Sequence, residues 1–241
     1  MRIKTLTVAC LTLCLSSPAW AEEGMANMVM QEHGGSTFHM FRLETDYGGS
    51  KNGAVASWDM KGWVGGDDNK LWLKSEGERK DGKMESAEFW ALYSRNISTF
   101  WDAQIGLRHD TRPISTSYLA LGFNGLAPYF FETEVHLFVS DEGDVSGRLR
   151  EENDFLLTQK LILQPYAEVN LSAQKVQEQD IGAGIVDGKI GLQTRYEFTR
   201  KFAPYVDVHY GRKFGETFSI AANNGEDKDE LIGSIGLRLM F

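Results

Sequence analysis

The last eleven residues constrain the fold most. Leu231, Gly233, Ile235, Leu237, Leu239 and Phe241 fall on one face of an extended strand, and Ile232, Ser234, Gly236, Arg238 and Met240 on the other. Side chains of a strand alternate between faces, so one face here is apolar down to a final aromatic while the other is mixed. That is the pattern of a closing strand in an outer-membrane barrel, where lipid-facing apolar groups alternate with lumen-facing small or polar ones. A strand of a soluble sandwich alternates as well, but does not usually finish on a bare apolar face.

The pattern recurs upstream. Ile190, Leu192, Thr194, Tyr196 and Phe198 alternate with Lys189, Gln193, Arg195 and Glu197. Phe131, Thr133, Val135, Leu137 and Val139 alternate with Glu132, Glu134 and His136, and Trp101, Ala103, Ile105 and Leu107 with Asp102, Gln104 and Arg108. Each stretch is about ten residues, enough for a tilted crossing. Pro128-Tyr129, Pro165-Tyr166 and Pro204-Tyr205 recur at intervals of 37 and 39 residues. Proline is tolerated at the first residue of a strand and Tyr favours the membrane–water interface. The three pairs are therefore expected to open three strands that run the same way from the periplasmic rim. At roughly 18 residues per strand with its turn, the chain makes an all-β, closed antiparallel transmembrane barrel of about twelve strands, ten being the alternative count.

The expected strands are 37–46, 54–64, 69–76, 84–95, 100–109, 116–124, 128–139, 146–158, 165–174, 188–198, 204–214 and 230–241. Extracellular connections would include Gly48-Gly49-Ser50, Asp141-Glu142-Gly143-Asp144 and the segment Gly215 to Asp229, and periplasmic turns Thr199-Arg200-Lys201.

The first residues read as a secretory leader. Arg2 and Lys4 precede an apolar stretch from Leu6 to Leu15, and Ala19-Trp20-Ala21 is a small-x-small cleavage site. Residues 1–21 are thus expected to be a signal peptide, 22–36 a short Met- and His-containing periplasmic tail, and 37–241 the barrel. Both cysteines, Cys10 and Cys14, lie in the leader, which excludes disulfides and thiolate metal sites from the mature chain. Removing Arg2 and Lys4 takes the net charge from -9 to -11. So acidic a chain is a poor partner for nucleic acid, whose phosphates need basic surface. After Ala21 no apolar run approaches a spanning helix, and only helices and closed barrels cross a bilayer.

Enzyme chemistry finds little support. None of His33, His39, His109, His136 and His209 sits in a His-x-Ser arrangement, no Gly-x-Ser-x-Gly segment occurs, and Asp67-Asp68 reads as a solvated turn. Metal chemistry is better represented. Met25, Met28 and Met30 lie close together, followed by His33, His39 and Met40. Thioethers select Cu(I), and imidazole suits either copper oxidation state. The alternative is a tail whose methionines are incidental or pack in the lumen. A second set, His136, His209 and Glu134, would face the lumen. There the candidates Glu132, Arg148, Arg150, Glu152, Asp154, Glu168, Arg195, Glu197, Asp207 and Arg238 mix both signs, which points to an ion-paired interior that is narrow or plugged.

Four stretches carry a family resemblance. Residues Ala120-Leu121-Gly122-Phe123-Asn124-Gly125-Leu126-Ala127-Pro128-Tyr129-Phe130-Phe131-Glu132 resemble a hallmark segment of the outer-membrane copper resistance protein B family. The segments 157–165, 195–205 and 65–74 are similar to it as well, so the resemblance runs from about residue 58 to Phe241. It implies a Gram-negative outer-membrane protein of a copper resistance system, with copper, Cu(I) or Cu(II), as ligand or substrate. It also implies outer-membrane lipid as surroundings and a periplasmic multicopper oxidase as partner. Many members carry a long Met- and His-rich N-terminal extension, here reduced to a few residues around Met25 to His33. Two functions follow as expectations: a protein that binds copper, moves it or sequesters it at the outer membrane, or a general porin or structural barrel without metal specificity.

Overall fold

A computed structural model describes residues 37–241. The expected leader and tail, 1–21 and 22–36, and with them Met25, Met28, Met30 and His33, lie outside the described residues.

Every described strand pairs antiparallel with its neighbours. In chain order they are β1 (Phe38–Ser50), β2 (Gly53–Gly65), β3 (Asn69–Lys80), β4 (Lys83–Ser98), β5 (Trp101–Arg112), β6 (Thr116–Ala127), β7 (Phe131–Ser140), β8 (Val145–Glu152), β9 (Phe155–Leu156), β10 (Leu161–Ser172), β11 (Gly184–Tyr196), β12 (Phe202–Lys213) and β13 (Asp229–Met240). The sheet closes where β13 pairs with β1. Strands β8 and β9 pair with the same edge of β10 in one continuous register, so the thirteen strands form twelve staves. Closure leaves no sheet edge unpaired, the condition for standing in lipid. The exterior is apolar, with Leu107, Leu137, Ile190, Leu231 and Ile235 among the exposed residues. No helix among the described residues is long and apolar enough to cross a membrane, so the crossing is made by strands.

Local sequence explains the turns. Asp81-Gly82 joins β3 to β4 as a two-residue loop with both φ positive, at 48° and 82°. That backbone matches the twist of a tight hairpin and is favoured by Asp-Gly. The break between β8 and β9 also has a cause. Pro165 lies opposite Asn153 in the β10 ladder; its carbonyl accepts from the Asn153 N–H at 3.2 Å, but proline has no N–H to return. The ladder lapses there and resumes at Phe155.

Three details correct the reading from sequence. The Pro-Tyr pairs do not open their strands: Pro128 precedes β7 in a turn, while Pro165 and Pro204 fall inside β10 and β12. They do mark three strands of one direction, all near the same rim. Gly48-Gly49-Ser50 belongs to β1, which turns only after Ser50. Finally, the connection after β12 holds a helix, α1 (Gly215–Asn224), which the strand pattern did not reveal.

The rims differ. Residue 37, Phe241 and the short turns 66–68, 99–100, 157–160 and 197–201 share one rim; the two long connections, 173–183 and 214–228, share the other. Barrels of this kind keep short turns in the periplasm and longer loops outside, which assigns the short-turn rim to the periplasmic side.

Candidate functional site

The lumen is bridged from wall to wall. On β2, the Lys61 ammonium donates to Glu152 of β8 at 2.7 Å and lies 3.6 Å from Glu134 of β7. Strands β2 and β8 are six staves apart in either direction, so this pair bridges diametrically opposite walls. One layer away, Arg150 of β8 reaches back to Asp59 of β2 at 3.1 Å and to Glu76 of β3 at 3.4 Å. Arg148 joins Glu88 of β4 at 2.7 Å, and Lys74 of β3 pairs with Glu134. Around these, Gln193 donates to Glu44 at 3.0 Å and Arg238 to Gln164 at 2.8 Å. Buried charge is tolerated when it is paired and hydrogen-bonded, and here the partners come from across the barrel as much as from adjacent strands.

An aromatic wedge shares this interior. Trp90, Leu92, Tyr118, Ala120 and Phe138 form one buried cluster with Trp72 against it. The Arg108 guanidinium lies 4.7 Å from the Phe138 ring, 5.1 Å from Tyr118 and 5.3 Å from Trp90. Desolvated cations over aromatic faces are held more firmly than exposed ones. A lumen of charges was legible from alternation, but these rings were not, because an apolar residue on the polar face reads as a lapse in the pattern.

Two cavities flank the plug. The outer one, about 550 Å³, is lined by Glu78, Glu226, Asp227, Glu230, Lys189 and His209 among others. Segment 173–183 and α1 fold over it. Gly182 N–H donates to Thr217 Oγ1 at 2.9 Å, Gln179 reaches Tyr118 Oη at 3.1 Å, and Lys175 binds Glu216 at 2.7 Å. The bond from Lys175 holds the exposed Glu216 carboxyl below its ordinary range. The inner cavity, about 380 Å³ at the short-turn rim, is lined by Met40, Met240, Glu132, Glu197, Arg200 and Trp72 among others.

The sequence candidates for a metal are dispersed. His39 and Met40 are successive residues of β1; His39 is exposed, whereas Met40 lines the inner cavity. His136 is 2% exposed, with its ring edge-on to Trp90 at 5.1 Å and Nε2 bonded to Gln104 Oε1 at 2.9 Å. His209 lines the outer cavity and bonds Asp207 at 2.7 Å. Glu134 is held by Lys74 and Lys61. Among the described residues no three His, Cys, Asp or Glu side chains converge as a ligand set. The residue that alternation pointed to without a role being assigned is Met240, which shares the inner cavity with Met40.

One cross-strand pair belongs to no sequence motif. His109 Nδ1 lies 3.0 Å from Ser117 Oγ on exposed neighbouring residues of β5 and β6. Eight residues and a hairpin separate them, so spacing alone does not reveal the pair. Among the described residues no hydrogen bond orients the ring from Nε2, the third group that nucleophilic catalysis requires.

Known proteins agree with this architecture. The solved KdgM porin superposes with a TM-score of 0.53 at 11% identity, over 83% of this chain and 99% of that one. The NanC porin does so with a TM-score of 0.55 at 8% identity, over 83% and 98%. At such identity the likeness is one of fold. Sequence relatives are nearer. Copper resistance protein B of Escherichia coli is 42% identical over 186 residues, 77% of this chain and 63% of the relative. A copper resistance protein B homolog of Pseudomonas syringae pv. tomato is 39% identical over 193 residues, 80% and 66%. The chain thus spans somewhat less than two thirds of the length of these relatives. The model of the family described as copper resistance protein B precursor (CopB) matches residues 36–241, the whole barrel, and the chain, an outer-membrane β-barrel of Gram-negative type, belongs to that family.

Proposed function

We propose that this barrel serves copper resistance by binding copper at its periplasmic side, and that it is not an open diffusion pore. The observation that carries the reading is the bridge of ion pairs from β2 to β8, which crosses the lumen between the inner and outer cavities. A solute entering at the short-turn rim meets paired charges on opposite walls before it reaches the outer vestibule. A general porin needs a polar, water-filled channel, and the porin likeness extends only to fold. The copper assignment comes from the relatives' names and from the soft donors at the start of the barrel and in the sequence before it. Met40 faces the inner cavity, and Met25, Met28, Met30 and His33 precede it in sequence. A periplasmic multicopper oxidase, the partner implied by the resemblance, would meet the same rim. The role proposed is one of binding.

The test is growth on graded copper of cells lacking the protein, complemented with the wild type or with Met25, Met28 and Met30 each replaced by Leu. The wild type should restore tolerance and the triple variant should restore less, with equal folded barrel in the membrane. Unchanged copper tolerance on complementation with the wild type would overturn the reading.

A further inference from the structure

We infer that Met40 and Met240 together form a thioether site for a soft monovalent cation at the inner mouth of the barrel, and that its occupant is Cu(I). The two residues lie 200 positions apart, at opposite ends of the barrel sequence. Closure brings them together. In the β1–β13 ladder Arg42 stands opposite Met240, and Met40 lies two residues from Arg42 on the same face. Such diagonal neighbours are about 7–8 Å apart at Cα, within reach of long side chains. The register there is pinned by the Phe41–Phe241 pair, whose backbones exchange bonds of 3.3 and 2.9 Å. Both methionines are half-buried and line the same cavity. An ion can reach them from the rim, yet meets walls on the other sides.

The surroundings decide which ion. Three basic side chains of this cavity already engage carboxylates: Arg42 holds Glu44 at 3.2 Å, Lys61 holds Glu152 at 2.7 Å, and Arg195 holds Glu197 at 3.4 Å. Apart from Glu132, the carboxylates lining this cavity (Glu134, Asp154 and Glu197) are therefore committed to fixed cations, and the two thioethers are its uncharged soft donors, the type that selects Cu(I). Arginines close by repel a divalent ion twice as strongly as a monovalent one at the same distance. Trp72 lines the same cavity, and its ring already lies 5.8 Å from the Lys74 ammonium, so this wall accommodates a cation over an indole face. Neither thioether must lose a proton to bind, so binding should persist in mildly acidic solution, where imidazole sites weaken.

The choice of copper rests on the function proposed above; the pairing of Met40 with Met240 does not. The test uses the full chain in detergent micelles with methionine methyl groups labelled by carbon-13, titrated with Ag(I) as a redox-silent probe and then with Cu(I) under reducing conditions. The Met40 and Met240 methyl resonances should shift together, saturating at one equivalent. Met40→Leu and Met240→Leu should each weaken binding at this site at least about tenfold, the lower end of what losing even an outer-shell partner costs a metal site. Met60→Leu, on the lipid face of β2, should leave it unchanged. Methyl shifts that spare Met240, or unaltered affinity in Met240→Leu, would overturn the site while leaving copper tolerance to be judged by growth. Loss of the growth phenotype with intact paired shifts would instead sink the copper role and keep the soft-cation site.

Discussion

At the residue scale, Lys61 shows how stability and closure are joined. Its ammonium serves Glu152 on the opposite wall and stands near Glu134, with only 8% of the residue exposed. Removing one member of a buried pair costs about 3–5 kcal/mol, because the other charge is left without a partner. Lys61→Met should therefore lower the unfolding free energy by about 3 kcal/mol, the low end of that range, since Arg42 stays 3.7 Å from Glu152. Lys61→Met with Glu152→Gln should recover part of the loss. Urea unfolding of the refolded barrel in lipid vesicles measures both. A double variant less stable than the single would mean that Lys61 acts through packing and not through its partner. Nothing in Lys61-Gly62-Trp63 advertises this role, since the carboxylate it needs lies 91 residues away.

At the element scale, the strands were readable because each must satisfy lipid on one side and the lumen on the other, and that requirement is written into every second residue. All twelve staves fall where alternation places them. What alternation could not give was the interruption of a stave. Asn153 and Asp154 look like strand residues, and it is Pro165 on the next stave, lacking an N–H, that breaks their ladder. Helix α1 was hidden for a similar reason: in a loop expected to be irregular, its short turns have no lipid face to impose a pattern. The closing seam supplies a prediction. Phe241 exchanges backbone bonds with Phe41 and is 64% exposed on the lipid side. Removing it deletes the last rung between β13 and β1 and the aromatic at the interface. The heat-modifiable folded form in outer membranes should fall, as read by gel mobility without boiling. Undiminished folded yield would show that the seam holds without this rung.

At the scale of the whole molecule, the barrel is a shell around a bridged interior. Purified wild-type protein in planar bilayers should conduct weakly. Replacing Lys61 and Arg150 together by Ala removes both links between β2 and β8 and should raise the single-channel conductance. A large, steady wild-type conductance would mean that ions pass the paired charges, and the binding role would have to yield to a porin. Alternation alone was enough to read a transmembrane barrel of about twelve staves and the charged residues that face inward, because membrane solvation acts on each strand separately and leaves a local period of two. The sequence also carried the family likeness. Which inward residues meet is set by closure of the sheet. Lys61 finds Glu152, Trp90 finds Phe138, and Met40 comes beside Met240 because twelve staves close into a ring, and the register of a ring is a property of the whole circuit that no single stretch of sequence contains.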